Sequence, residues 1–192
     1  MRSTVRLPED YAEIGSMDLQ KDTKTAVLVN VMAIVMCVAL LIMFFVMRPL
    51  DPMKGIEIDI IESLLTIVLL FVYMVLHEMT HGIVMKRMDA THVRYGFTGL
   101  YAYAGSEEDY FTVKSYVTIA LAPLVIWTVI FVILMILFID DLYWMLAFLF
   151  TCHFSGCAGD MYVAYKVLEY PRDVLIRDTG VDVKIYGKNN EK

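Results

Sequence analysis

The sequence has few cysteines and no concentrated basic segment. Its three cysteines, Cys37, Cys152 and Cys157, lie in apolar stretches, and an odd number without paired spacing argues against a disulfide framework. Internal repeats and low-complexity tracts are also absent. The chain has 16 basic and 22 acidic residues, giving a formal charge of −6. Because no basic stripe is present to neutralise phosphates, we expect no nucleic-acid partner.

Apolar residues dominate the composition instead. Hydrophobic residues make up 59% of the 192-residue chain, and the mean hydropathy is +0.62. Several apolar runs reach about 20 residues, the length that crosses a bilayer as a helix. The chain is short enough to form one domain. This composition predicts a polytopic membrane protein that is surrounded by the lipid bilayer.

Four apolar segments are candidate transmembrane helices, at residues 25–47, 64–85, 115–139 and 142–168. Each is near the length that crosses about 30 Å of hydrocarbon. The first segment is too long for the hydrophobic region of a signal peptide and lacks a small-residue cleavage site, so we expect it to be retained. The predicted fold is therefore an all-α membrane protein with four transmembrane helices.

The distribution of lysine and arginine predicts the orientation of these helices. Most basic residues precede the first segment, lie between the second and third, or follow the fourth. The first and third loops contain only Arg48 and Lys54. Basic residues are enriched in cytoplasmic loops, so we predict a multi-pass protein of the cell membrane with both termini and the middle loop in the cytoplasm.

The regions outside the apolar segments predict small β-hairpins. In the middle loop, apolar and aromatic residues alternate around Thr98 and Gly99, which is typical of a hairpin over residues 92–104. The tail alternates in the same way at Val181, Val183 and Ile185. We thus divide the chain into a cytoplasmic leader (1–24), a four-helix transmembrane domain (25–170) and a cytoplasmic tail with a hairpin (171–192).

Two acidic motifs have ordinary structural interpretations. The run Glu107-Glu108-Asp109 is expected at a solvated loop tip. The triplet Asp178-Thr179-Gly180 has the composition of the aspartic-protease motif, but a single copy in a short polar tail is more typical of a turn.

The segment His77-Glu78-Met79-Thr80-His81 matches the H-E-x-x-H pattern. On a helix, the spacing of four residues places both imidazoles on one face, where they can share a metal ion. Zinc in such a site activates a water molecule, and the glutamate accepts its proton during attack on a carbonyl. This pattern predicts Zn²⁺ as cofactor, His77 and His81 as ligands, and Glu78 as the catalytic base.

A catalytic zinc usually has a third protein ligand, and membrane depth indicates Asp160. His77 and Asp160 each lie about eight residues from the predicted cytoplasmic ends of their segments, roughly 12 Å at the helical rise. Small residues around Asp160 would allow close helix packing. An isolated carboxylate at this depth would be costly, so a zinc partner would also stabilise it. The alternative is a buried acid that hydrogen-bonds across the bundle.

Other interpretations of the same residues remain open. His77, His81 and Glu78 could form a polar network that only ties helices together. His153 lies two turns from Asp160 on nearly the same helix face; a structural histidine is the ordinary interpretation, but it could also gate the site, bind substrate or orient a ligand. We treat it as a candidate accessory residue.

The sequence resembles the zincin-type membrane peptidases, a prokaryotic group related to the site-2-protease-like intramembrane metalloproteases. The resemblance spans about residues 67–186 and is carried by H-E-x-x-H-G at 77–82, "ALAPL" at 120–124, "HFSGCAGD" at 153–160 and "YPRDVLIRDTGVDVKIY" at 170–186. It implies zinc ligands His77, His81 and Asp160, with Glu78 as the catalytic base.

Two departures from the site-2 proteases limit the comparison. Their Asn-Pro-Asp-Gly or Leu-Asp-Gly ligand motif is represented only by Gly159-Asp160, and Ile126 occupies the position of their third-helix asparagine. Stabilisation of the oxyanion would then fall to zinc, His153 or a backbone amide.

Two classes of function follow from the sequence. The first is an intramembrane zinc metalloprotease that hydrolyses a peptide bond of a membrane protein or peptide near the cytoplasmic leaflet. The second is a non-enzymatic membrane protein, of the partner-binding or immunity type, with a structural zinc site. The second class would tolerate loss of Glu78, whereas the first would not. An intramembrane aspartyl protease is disfavoured because it would need a second intramembrane aspartate. The sequence does not indicate an oligomeric state.

Overall fold

Three long apolar helices are the candidate membrane-spanning elements among the described residues. The computed structural model describes residues 3–18, 22–49, 59–97, 99 and 102–189. Helices α1 (Thr23–Met47), α2 (Ile60–Arg87) and α3 (Val113–Leu137) are long and apolar enough to cross a membrane. They agree with the first three predicted segments. Helix α2 begins earlier than predicted because the Asp59 side chain caps it, accepting hydrogen bonds from two backbone N–H groups.

Many apolar side chains of these helices point away from the protein. Val35, Val46, Ile61, Phe71 and Leu137 are each more than half exposed. Soluble monomers rarely expose contiguous apolar surface on this scale. A helix pairs most of its backbone polar groups internally, as lipid requires. These features identify a membrane protein.

The fourth predicted segment, 142–168, is not one continuous helix. The structure divides it into α4 (Tyr143–Gly156) and α5 (Ala158–Leu168), which meet at Cys157, where ψ is 3°. Ser155 and Gly156 directly precede the break, and glycine next to serine is a frequent cause of helix interruption because glycine has a low helix propensity. Neither α4 nor α5 alone has the roughly 20 residues needed to span the hydrocarbon.

A five-stranded antiparallel sheet extends the fold beyond the predicted hairpins. Its strand order is β1-β5-β6-β7-β2, with strands at Ser3–Thr4 (β1), Tyr11–Asp18 (β2), Tyr110–Thr112 (β5), Leu175–Asp178 (β6) and Asp182–Lys188 (β7). The tail hairpin is confirmed as β6 and β7. The leader was not predicted to contain strands, because β2 pairs with β7 at the opposite end of the chain, a contact that no local pattern indicates.

The hairpin in the middle loop forms a separate two-stranded sheet. Strands β3 (Arg94–Phe97) and β4 (Ala102–Gly105) are antiparallel, which confirms the predicted hairpin. Gly99 has a φ of +90°, a conformation that favours glycine. Thr98, at the predicted turn, and residues 100 and 101 lie outside the described residues, as does most of the first loop (50–58).

Two buried clusters pack at different levels of the fold. One joins α2, α3 and α5 to the sheet and includes Met85, Ile119 and Ile185. The other is rich in aromatic residues and includes Tyr73 and Phe131. Along α2, the H-E-x-x-H segment lies between Tyr73 and Met85. The candidate site is thus held between two packed regions.

The acidic run at 107–109 is only partly a solvated tip. Asp109 is fully buried, and its carboxylate accepts hydrogen bonds from the Thr91 and His92 backbone N–H groups and from the Thr91 and Ser106 hydroxyls. These donors lie before β3 and after β4. The interpretation of Asp109 as a solvated residue is therefore wrong, because the carboxylate fastens the two ends of the hairpin together.

Candidate metal centre

Helix α2 presents three polar side chains to one cavity. The rings of His77 and His81 are one helical turn apart, with their centroids separated by 5.0 Å. Glu78 lines the same cavity, which has a volume of about 590 Å³, and the Ala104 backbone of β4 hydrogen-bonds the Glu78 carboxyl group. The spacing of the H-E-x-x-H pattern thus places both imidazoles and the glutamate around one space.

Asp160 enters this cavity from α5. Its carboxylate oxygens lie 3.3 Å from His77 Nε2 and 3.5 Å from His81 Nε2. The three candidate ligand atoms all lie within 4.8 Å of one another, close enough to hold one metal ion. The structure thus brings Asp160 beside the two histidines, as the depth argument predicts, although α5 is a separate helix; its role as a ligand stays a prediction.

Pro123 determines how His81 is oriented. Proline has no backbone N–H, so Pro123 leaves the carbonyl of Ile119, four residues earlier in α3, without its helical donor. His81 Nδ1 lies 3.0 Å from this carbonyl oxygen. A carbonyl can only accept, so Nδ1 carries a hydrogen, and Nε2, the nitrogen that faces Asp160, is the one that a metal ion would use.

The family comparison agrees with this geometry. Residues 70–175, more than half of the chain, match the family described as "Putative zincin peptidase". The chain belongs to this family. No curated protein and no solved structure matches it. Membership of the zincin peptidase family indicates a zinc-dependent peptidase. The matched region contains α2 from residue 70 onward and all of α3, α4 and α5.

The donor set of this zincin peptidase fits zinc. Two imidazole nitrogens and one carboxylate oxygen are common ligands of catalytic zinc, which keeps a further position open for water or substrate. Both histidines have a hydrogen-bond partner at Nδ1, the arrangement that orients a ligating imidazole through its second nitrogen. His77, His81 and Asp160 would hold the ion.

A second group of potential ligands lies beside the first. His77, His153 and the Cys157 thiol also lie within 4.8 Å of one another. His153 is fully buried. Its connection to His77, His81 and Asp160 does not run through Asp160. The Tyr73 hydroxyl instead connects it to His77, at 2.6 Å from His153 Nδ1 and 2.9 Å from His77 Nδ1.

The sequence patterns missed Tyr73 and the role of Tyr95. Tyr73 lies one turn before His77, so the same four-residue spacing would have indicated it. Tyr95 occupies the space beside Gly82, where an added Cβ would stand 2.1 Å from the tyrosine oxygen. Gly82 thus makes room for a side chain of β3, a contact that the sequence could not indicate.

The tail adds a carboxylate to the rim of the cavity. Asp178 lines it and accepts hydrogen bonds from the Tyr116 hydroxyl and the Gly180 N–H. Burial raises the pKa of this carboxyl group above its usual value, although both hydrogen bonds oppose the rise. Gly180 has a φ of +83°, so the expected turn at 178–180 is confirmed.

Proposed function

We propose that this chain is an intramembrane zinc metalloprotease that cleaves a peptide bond of a membrane protein or peptide near the cytoplasmic leaflet. The observation that carries the proposal is the convergence of His77, His81 and Asp160, from two helices of an apolar protein, on a cavity that Glu78 also lines. Ionisable groups inside membrane segments are costly and usually functional.

Each residue has a defined part in this chemistry. His77, His81 and Asp160 would bind zinc, and Glu78 would accept a proton from the attacking water and pass it to the leaving amine. When bound, zinc supplies Lewis acidity for the water and the substrate carbonyl. The hydrogen bond that His81 Nδ1 donates to the Ile119 carbonyl keeps the imidazole in the tautomer that offers Nε2 as a ligand.

Strand β4 is the proposed binding edge for the substrate. A helical substrate must become extended before its carbonyl can be attacked. Ala102, Tyr103 and Ala104 line the cavity, and among the described residues β4 pairs only with β3. An extended substrate segment could therefore add to β4 by backbone hydrogen bonds, next to Glu78.

The pairing of leader and tail supports four membrane crossings. Strands β2 and β7 hydrogen-bond along most of their length, which supports a leader and a tail on the same side of the membrane. Three long helices alone would place them on opposite sides. We therefore propose that α4 and α5 together make the fourth crossing, and that both termini are cytoplasmic, as the basic residues indicate.

The decisive test compares zinc content and cleavage in three purified proteins. We expect one zinc per wild-type chain and chelator-sensitive cleavage of a membrane-peptide substrate. Glu78→Gln should keep zinc and lose at least about 100-fold in turnover, because the proton acceptor is gone. Asp160→Ala should lose or weaken zinc binding.

The same experiment separates the alternative function. A protein with a purely structural zinc would keep its biological activity in Glu78→Gln. Full cleavage by that variant, or a wild-type chain without zinc, would contradict the proposed peptidase. Glu107→Gln, at an exposed position of the middle loop, is the matched control and should behave as wild type.

A further inference from the structure

We propose that Tyr73 and His153 form a positioning chain that holds His77 in the tautomer needed for metal binding. This inference rests on the proposed zinc site. It assigns His153, which the mechanism above does not use, a role that it exerts through Tyr73 and without touching substrate or metal.

The positioning chain is a continuous set of hydrogen bonds between buried and half-buried side chains. Tyr73 is 9% exposed and His153 is fully buried. The Tyr73 hydroxyl lies 2.9 Å from His77 Nδ1 and 2.6 Å from His153 Nδ1. His153 Nε2 then lies 3.1 Å from the Thr128 hydroxyl of α3. The chain thus connects α2, α4 and α3 through polar contacts inside an aromatic cluster.

Metal binding determines which atom donates at each step. His77 Nε2 faces Asp160, so the lone pair for zinc must lie there and the hydrogen must lie on Nδ1. His77 therefore donates to the Tyr73 oxygen. The Tyr73 hydroxyl must then direct its own hydrogen to His153 Nδ1, which leaves the hydrogen of His153 on Nε2, facing the Thr128 oxygen. Every group in the chain has a partner of the right type.

The two ligand histidines show why His153 is needed for only one of them. The partner of His81 is the Ile119 carbonyl, which can only accept. The partner of His77 is a hydroxyl, which can donate as well as accept. Without an acceptor for its hydrogen, the Tyr73 hydroxyl could donate to His77 Nδ1 and favour the wrong tautomer. His153 supplies that acceptor.

Packing holds the His153 ring in this orientation. Its ring centroid is 5.5 Å from that of Phe131, 6.0 Å from that of Phe150 and 5.4 Å from that of Tyr73. An imidazole enclosed by rings on three sides cannot rotate freely, so Nδ1 stays directed at the Tyr73 oxygen.

A second metal ion is a weaker explanation of the same residues. The Tyr73 hydroxyl bonds to both histidines and also hydrogen-bonds the Cys157 thiol. The Tyr73 oxygen therefore already forms a hydrogen bond with each of the three potential ligands. A metal ion would have to displace this hydroxyl.

The test measures zinc affinity of the full chain in detergent, by competition with a chelator, together with the visible spectrum of the cobalt-substituted protein. Tyr73→Phe should weaken zinc binding about 10- to 100-fold, the usual effect of losing a hydrogen bond to a ligating histidine, and should shift the cobalt spectrum. Tyr143→Phe is the matched control, since its buried hydroxyl donates to the Phe44 carbonyl far from the site.

Two substitutions of His153 test whether it accepts the hydrogen bond of the Tyr73 hydroxyl. His153→Leu removes the acceptor and should weaken zinc binding, whereas His153→Asn places an amide oxygen near the position of Nδ1 and should restore much of the affinity. Because His153 acts through Tyr73, the double variant Tyr73→Phe/His153→Leu should bind zinc no more weakly than Tyr73→Phe alone.

The outcomes distinguish this inference from the proposed function. If the wild type binds zinc and Tyr73→Phe binds it equally well, the positioning chain is overturned and the zinc site stands. If His153→Asn binds no better than His153→Leu, the acceptor role of His153 is overturned. If the wild-type chain binds no zinc, both proposals fall together.

Discussion

At the scale of single residues, hydrogen-bond partners decide what each polar group can do. His77 and His81 are chemically alike and lie one turn apart, yet one bonds to a hydroxyl and the other to a carbonyl. The difference arises because Tyr73 lies one turn before His77, and Pro123 frees a carbonyl opposite His81. The two ligands therefore respond to different substitutions in their surroundings.

Asp109 gives a prediction at this scale. Burial acts to raise the pKa of its carboxyl group, but the four hydrogen bonds outweigh burial and hold this pKa below its usual value. A lowered folded-state pKa contributes stability that is complete above the unfolded pKa near 4 and is lost as the pH falls through the folded value. Asp109→Asn should lower stability at pH 7 by about 1–3 kcal/mol, because buried donors lose their acceptor.

The measurement is the thermal unfolding midpoint at pH 7 and pH 3. The difference in midpoint between Asp109→Asn and wild type should narrow at pH 3, which lies below the unfolded-state pKa, because the unfolded carboxyl group then binds a proton and the wild type loses part of this stability. The neighbouring Glu108→Gln, at an exposed position, should change little at either pH. An Asp109→Asn variant as stable as wild type at pH 7 would contradict the role of this carboxylate as a clasp.

At the scale of elements, irregularities in the helices build the site. Helix α3 contains Pro123 and provides a carbonyl to His81. The break at Cys157 separates α4, which carries His153, from α5, which carries Asp160. Regular helices would have used that carbonyl internally and continued through the break.

Pro123→Ala should therefore separate stability from metal binding. Alanine restores a backbone N–H, which would compete with His81 for the Ile119 carbonyl, so zinc affinity should fall about tenfold. Helix stability should rise or stay the same, because proline inside a helix costs about 3 kcal/mol. Competition with a chelator measures the zinc affinity, and thermal unfolding measures the stability.

Pro171→Ala is the control, because this proline lies outside the helices, and it should change neither zinc affinity nor stability. Wild-type zinc affinity in Pro123→Ala would refute the role of Pro123.

At the scale of the whole molecule, the five-stranded sheet bears on which parts of the chain lie on the same side of the membrane. Strands from the leader, the middle loop and the tail form a single sheet. These three regions are also those in which the lysines and arginines concentrate. We therefore expect the sheet to lie on one side of the membrane, next to the cavity that holds the proposed zinc site.

Topology reporters fused to the N-terminus or to the C-terminus should report the same side of the membrane. We expect a fluorescent reporter to be active and a periplasm-dependent enzyme reporter to be inactive at both ends, because β2 pairs with β7 and the basic residues predict a cytoplasmic location for both. A cysteine introduced at Asp141 should be labelled from the opposite side. Termini that report opposite sides would contradict the four crossings.

Local patterns were sufficient for some of these features. The lengths of three apolar runs, the alternation in two hairpins and the four-residue spacing of His77 and His81 each depend on residues that are close in sequence. The depth of Asp160 could be counted because a helix rises regularly. Tyr73 could have been found by the same helical spacing.

The remaining features depend on which distant segments meet. The amino-acid sequence by itself determined a membrane protein with three long apolar helices and a pair of histidines on one helix face, because hydrophobic length and helical period are local properties. Only the tertiary structure decided that β2 joins β7, that Asp109 is buried, and that Tyr73 connects His77 to His153. These contacts arise from packing between segments far apart in the chain, and no periodicity within either segment encodes the partner.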